Sequence, residues 1–372
     1  MKALRIIAGD RARRHIEQHG LSPLDVQAIP GAAGGPKGLI LQGLDHFLFG
    51  DWFNAAHLSA RQQAGVKPLQ LLGASIGAWR MAAAASSEPV TALKRLADQY
   101  CDAQRYPKGV DRHTISDVCQ SMVNAVVGDQ AQSMSLPQGK ELLVWVNRGL
   151  PPLHHARQAR ARKRGFAAAV LANGLNRDKL AHYFERWIFH SPGAAVDWLE
   201  QPFDRIPTHS APLGEVNIRQ ALLASGSIPF VLNPIHTIAQ AHSAENAYQG
   251  PFWDGGLTDY HLALPYHRLD GLVLYPHFAN TVTPGWLDKF LKLRKARPDW
   301  MSNVVLLCPT DEFVKSLPAG KIPDRSDFKR YGLNHDQRLA HWRQAIAESH
   351  RLAEEFAHWA EQPSTRRIEP YA

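Results

Sequence analysis

At 372 residues, with 45% hydrophobic and 20% charged side chains, the chain can bury a sizeable core, which excludes a disordered or low-complexity polypeptide. Its three cysteines, Cys101, Cys119 and Cys308, form no CxxC pair. That spacing argues against a disulfide framework or a zinc site and fits a reducing, cytoplasmic setting. The formal charge of +8 suits anionic partners, either a phosphate-bearing substrate or an anionic lipid surface, and equally suits an ordinary basic protein surface.

Residues 1–25 read as a charged helical lead-in whose apolar run is too short for a signal peptide. No window reaches the roughly 18 consecutive apolar residues of a membrane span. Val26–Ile29 reads as a strand running into Gly31-Ala32-Ala33-Gly34-Gly35-Pro36-Lys37-Gly38, and Leu39–Phe49 carries apolar residues at helical spacing. Pro36 suits a first helical position, where its missing N–H costs nothing. The loop fits neither the Walker A pattern nor GxGxxG. It has the small residues a backbone oxyanion hole requires, with N–H groups converging beside a helix N-terminus. An ordinary glycine-rich turn is the plainer alternative.

Residues 50–68 read as connecting structure. In Leu69–Ser86, an apolar run ends in Gly73-Ala74-Ser75-Ile76-Gly77 and an alanine-rich helix follows. This is the pattern of a nucleophile elbow, in which a sharp strand–helix turn presents a serine and its helix N-terminus faces any anion formed there. Gly73 and Gly77 fit because such a turn crowds the backbone on both sides of the serine.

Residues 88–135 read as helical and polar, without evident chemistry, and Leu142–Val146 as a strand. The basic run Arg157, Arg160, Arg162, Lys163 and Arg164 has no interleaved aromatics, which argues against nucleic-acid binding. It reads as a solvated face or as a contact with an anionic membrane. Asp178–His190 reads as a helix, with Leu180, Tyr183, Phe184, Trp187 and Ile188 on one buried face. Asn217–Ser225 is a second helix, closed by Gly226-Ser227-Ile228-Pro229.

Pro234–Gln240 and Gly250–Trp253 read as strands, the latter ending in Asp254-Gly255-Gly256. An aspartate at a strand end can face a cleft, although such tripeptides more often only form turns. Leu272–Tyr275 and Val304–Cys308 have the apolar composition of fully buried strands. Asn334–Glu361 reads as one amphipathic helix whose histidines never fall at i,i+4, so no metal is assigned. Strands alternating with helices predict an α/β fold with a mostly parallel sheet covered on both faces. The expected organisation is a single domain over 1–372, with a motif-bearing core at about 26–310 and a helical extension at 311–372.

The glycine-rich loop, the elbow and the Asp-Gly-Gly tripeptide occur in a fixed order, and here the chain resembles the patatin-like phospholipase family. That family carries a GGGx[KR]G oxyanion loop, a GxSxG elbow and a DG[GA] motif. The counterparts are Ala33-Gly34-Gly35-Pro36-Lys37-Gly38, Gly73-Ala74-Ser75-Ile76-Gly77 and Asp254-Gly255-Gly256. Ala224-Ser225-Gly226-Ser227-Ile228-Pro229 is similar to the segment that precedes the family's aspartate. The resemblance spans residues 26–260, with one departure, Ala33 at the loop's first glycine.

It implies a three-layer α/β/α sandwich in which Ser75 is the nucleophile and Asp254 the base, with no histidine, metal or cofactor. It also implies an oxyanion hole from the amides of Gly34, Gly35 and Ile76, supported by Lys37, Gly38, Gly73, Gly77, Gly255 and Gly256. The implied substrate is an acyl-ester lipid, as for a phospholipase A, lysophospholipase or esterase. Three alternatives remain at this level. One is an α/β-hydrolase triad using His261, His267 or His277, against which stands the absence of an HGGG-type loop. A thioesterase or depolymerase on the same dyad is another, and the last is a non-catalytic lipid-binding protein.

Overall fold

The computed structural model describes residues 2–151, 153, 159–291 and 293–371. Among these, eleven strands join in one sheet. They are β1 (Leu4–Ala8), β2 (Val26–Gly31), β3 (Leu69–Ala74), β4 (Lys140–Gly149), β5 (Phe184–His190) and β6 (Thr208–Pro212). After these come β7 (Ile235–Gln240), β8 (Ser243–Asp254), β9 (Leu272–Pro276), β10 (Val304–Pro309) and β11 (Ile368–Pro370). The main order is β11-β1-β10-β9-β2-β3-β4-β5-β6, with β8 bridging β4 and β7. From β10 to β4 all neighbours are parallel. The sequences of β2, β3, β9 and β10 are short apolar runs, and every residue in them is buried, as a sheet with helices on both faces requires. The architecture is α/β, a mostly parallel sheet flanked by helices.

The helix Ile76–Ala85, which follows β3, is buried along its whole length. Its small alanines let it lie close to the sheet beneath Pro89–Asp102 and Arg112–Val127. Arg80 on this helix makes a buried two-pronged ion pair with Asp45, at 2.7 Å to each carboxylate oxygen. The pair ties the elbow helix to Gln42–Phe47, the helix that continues from the glycine-rich loop.

Three sequence expectations are corrected. Residues 1–25 are not wholly helical: Leu4–Ala8 is a strand between β10 and β11, and Asp10–His19 is the helix. A five-residue strand whose partners lie at the far end of the chain leaves almost no local signal. Asp178–His190 is not a helix but a 3₁₀ turn at Arg177–His182 followed by β5. Here Arg186 points inward, fully buried, and bonds to Asp204 and Asp259. Paired with carboxylates, an arginine occupies a core-facing position that helical periodicity assigns to solvent. The C-terminal helix is two, His335–Glu348 and His350–Glu361, separated at Ser349. The buried Ser349 hydroxyl accepts a 2.9 Å bond from the Gly43 amide, so the break sits where the helix pair meets the helix that continues from the glycine-rich loop.

Candidate active site

Two strands end against the same edge of β4. The parallel strand β3 pairs with it as far as Ala74 opposite Trp145. The antiparallel strand β8 arrives from the other direction and ends with Asp254 opposite Val146. The residues at and just beyond these ends, Ser75 and Asp254, therefore meet although 179 positions separate them. The Ser75 hydroxyl donates a 2.7 Å hydrogen bond to Asp254 Oδ2. The other carboxylate oxygen accepts a 2.7 Å bond from the Gly256 amide, so the turn after the aspartate orients its carboxylate.

Ser75 adopts φ +56° and ψ −130°, a left-handed conformation that costs a non-glycine residue on the order of 1–3 kcal/mol. Surrounding contacts hold it there. Its amide donates to Ser225 Oγ at 2.9 Å, and the Ser225 hydroxyl donates in turn to the Trp145 carbonyl at 2.7 Å. Asn147 donates to the carbonyls of Asp254 and Gly255 at 2.8 and 3.0 Å, fixing the opposite side. On either side of the serine, Gly73 and Gly77 press against backbone.

The glycine-rich loop leaves the end of β2, whose Gly31 is in register with Gly73 of β3. Ala33 is committed, its amide donating to the Tyr260 carbonyl at 2.8 Å. Among the described residues, the amides of Gly34, Gly35 and Ile76 have no acceptor. Gly35 takes φ +58°, which favours glycine, and begins a 3₁₀ helix with Pro36 in its first turn, as expected. Lys37 lies over the Phe278 ring at 5.0 Å. Burial, followed by the nearby Lys289 charge, lowers its pKa. Gly38 sits against Arg80 and Ile76 of the elbow helix, and Gly255 against the Trp145 carbonyl.

Burial raises the Asp254 pKa to about 6, a shift moderated by the Ser75 hydroxyl, Arg325 and the Gly256 amide. A carboxylate tuned in this way is a proton acceptor near neutral pH. Among the described residues no histidine hydrogen-bonds to Ser75 or Asp254. His261 and His277 are buried and kept neutral, His277 with its pKa lowered to about 3 by desolvation. Their Nδ1 atoms bond to the backbone of Thr283 and Ala279, and His267 is exposed.

Ser75 lines two adjoining spaces. A small cleft contains Gly34, Asp254, Tyr260 and Trp286. A cavity of about 750 Å³ with a mostly apolar wall opens on the other side, lined by Trp79, Tyr106, Ile115, Met122, Val231 and Leu232 among others. Sequence reading assigned no chemistry to residues 88–135, yet those helices supply much of this wall. Arg325 borders both spaces and has no carboxylate or carbonyl partner among the described residues. Its Nε lies 3.1 Å from where a side chain on Gly35 would begin. No local motif marked Arg325, Asn147 or Trp79, and Ser225 stood out only within its small-residue segment. No protein-family profile and no curated protein sequence matches the chain.

Proposed function

We propose that this protein is a serine-dependent acyl hydrolase acting on lipid esters through a Ser75–Asp254 dyad. The observation that carries the reading is the 2.7 Å bond from Ser75 Oγ to Asp254 Oδ2 in a left-handed elbow. In this reading Asp254 takes the hydroxyl proton as Oγ attacks the ester carbonyl. The oxyanion lies toward the free amides of Gly34, Gly35 and Ile76, each such donor contributing about 2.7–4 kcal/mol of transition-state stabilisation. Asp254 returns the proton to the departing alcohol. It then deprotonates the water that cleaves the acyl-enzyme and passes that proton back to Oγ. The large apolar cavity beside Ser75 suits an acyl chain. The three-motif resemblance to patatin-like phospholipases supports the same roles.

A fluorophosphonate probe tests the nucleophile, with stoichiometric labelling of Ser75 in the folded protein expected. Labelling elsewhere, or none, refutes the reading. The general-base role sets the pH dependence. Asp254 must be ionised, so kcat/KM for a soluble ester rises with pH through a midpoint of about 6 and levels off above it. A flat profile between pH 5 and 8 contradicts a carboxylate base.

Arg325 sets a further expectation. A free guanidinium at the junction of cleft and cavity favours an anionic group close to the scissile ester. Arg325→Gln raises KM about tenfold for esters bearing a phosphate or carboxylate beside the reacting bond, the scale of one charge-assisted hydrogen bond. Neutral esters change little in KM. The same substitution moves the pH midpoint upward, because Arg325 lowers the Asp254 pKa. Steady-state kinetics on matched anionic and neutral esters check both effects.

A further inference from the structure

The helix Ala159–Leu175 exposes a face that packing within the chain does not explain. Arg162, Phe166, Ala169 and Asn173 form its buried face. At 3.6 residues per turn, the ridge directly opposite is Arg160, Arg164, Ala167, Leu171 and Leu175. Leu171 is 72% exposed and Leu175 78%, where an ordinary surface helix carries polar residues. The first two turns are cationic, and the helix contains no acidic residue.

A neighbouring loop, tethered to the helix through its buried Asn173, exposes a second apolar pair. Buried Asp288 accepts hydrogen bonds from Asn173, Arg177 and Arg294 at 2.7–2.9 Å, and Arg294 also bonds the Asn173 carbonyl. This brace holds the loop that follows Asp288 against the helix. Along that loop Phe290 is 85% exposed and Leu293 99%. Lys289 and Lys295 flank them, and neither has a carboxylate partner among the described residues.

The surface adjoins both spaces at Ser75. Trp286, just before the brace, lines the small cleft. On the other flank, Phe230 meets the helix through Phe166 at a ring distance of 5.1 Å. Its exposed neighbour Val231 lines the large cavity.

We propose that this face docks on an anionic lipid bilayer. Leu171, Leu175, Phe290 and Leu293 enter the boundary between headgroups and acyl chains, and the surrounding lysines and arginines meet lipid phosphates. Four large apolar side chains projecting into water gain most from a medium that needs no matching shape, and a cationic helix without acidic residues favours negative lipid. A second copy of the chain is disfavoured, because pairing through this face sets its cationic rims against each other in a molecule of formal charge +8. Of the basic run singled out in the sequence, Arg160, Lys163 and Arg164 thus fall on the rim of this surface, while Arg162 turns into the buried face of the helix. The run's first member, Arg157, lies outside the described residues.

Docking is testable without hydrolysis. Full-length Ser75→Ala protein is sedimented with vesicles of phosphatidylcholine containing about one third phosphatidylglycerol, and with pure phosphatidylcholine vesicles. Binding at least about tenfold tighter to the anionic vesicles, weakening with added salt, is expected. Adding Leu171→Asp and Phe290→Asp lowers that binding about tenfold or more, and adding Arg160→Glu and Arg164→Glu reduces it to the phosphatidylcholine level. Placed on a Ser75 background, both pairs leave hydrolysis of a short soluble ester unchanged. These positions are solvent-facing, so unchanged circular dichroism and melting are expected.

Equal binding to both vesicle types overturns the proposal, as does variant binding equal to that of the parent. Absence of vesicle binding also overturns it. So does parental self-association that the apolar pair abolishes without any change in vesicle binding, which reassigns the face to a second copy. Vesicle binding by a protein that shows no fluorophosphonate labelling separates docking from hydrolysis.

Discussion

The Asp254→Asn variant is expected to lose ester hydrolysis on the order of 10⁴-fold, the scale seen when a serine hydrolase loses the carboxylate of its catalytic set. Ser75→Ala loses more, on the order of 10⁶-fold. Asparagine preserves both local hydrogen bonds: its amide NH₂ can donate to Ser75 Oγ, and its carbonyl can accept from the Gly256 amide. What it cannot do is take the proton.

The same substitution is expected to stabilise the fold. The Asp254 carboxyl titrates at about 6 in the native protein against an ordinary 3.8, so folding favours its protonated form. That contribution is fully present below about pH 4 and is lost as pH rises through 6. Above pH 6 the buried charge costs roughly 3 kcal/mol, from about two pKa units at 1.36 kcal/mol each. The asparagine side chain carries no charge at any pH. Urea unfolding at pH 8 therefore shows the variant more stable than the parent, with the gap narrowing toward pH 5. Retained activity at pH 8 removes Asp254 from the mechanism, and a stability gain independent of pH removes its titration as the cause.

The second large effect lies in the elbow's packing. A methyl group on Gly77 would stand 1.8 Å from the Gly31 carbonyl oxygen, and one on Gly73 would stand 2.3 Å from Ala78 Cα. Both obstacles are backbone, one at the end of β2 and the other in the elbow helix, and neither can rotate away. Gly77→Ala is expected to destabilise the protein by about 4 kcal/mol or more, in the range reserved for gross steric conflict. Gly38→Ala is the control. There the nearest atoms are the flexible side chains of Arg80 and Ile76 at 3.3–3.4 Å, and the change stays within about 1 kcal/mol. Denaturation midpoints and soluble yield measure both variants, and equal midpoints would show that β2 and the elbow helix can separate at little cost.

Much of the parallel core was legible because its signals are short-range. The segments that form β2, β3, β9 and β10 are apolar runs bounded by turn residues, and their boundaries fall within a few positions of those expected. What misled was a residue whose environment comes from elsewhere. In β5, Arg186 faces inward only because Asp204 and Asp259 neutralise it, and periodicity alone counts it as solvent-facing. β8 is longer than its expected Gly250–Trp253 because pairing with β7 extends it back to Ser243. β1 and β11 depend on each other across nearly the whole chain.

The sequence by itself determined the turns: the glycines beside Ser75, Pro36 opening the helix after the loop, and the glycines that follow Asp254. Each is a steric requirement of backbone within a few residues, so local residue identity suffices. Only the tertiary structure decided that the ends of β3 and β8 abut on one edge of β4 and bring hydroxyl to carboxylate. Only it placed Arg325, the apolar cavity and the outward leucines of Ala159–Leu175. These depend on contacts between distant segments, and no local periodicity records which segments will be neighbours.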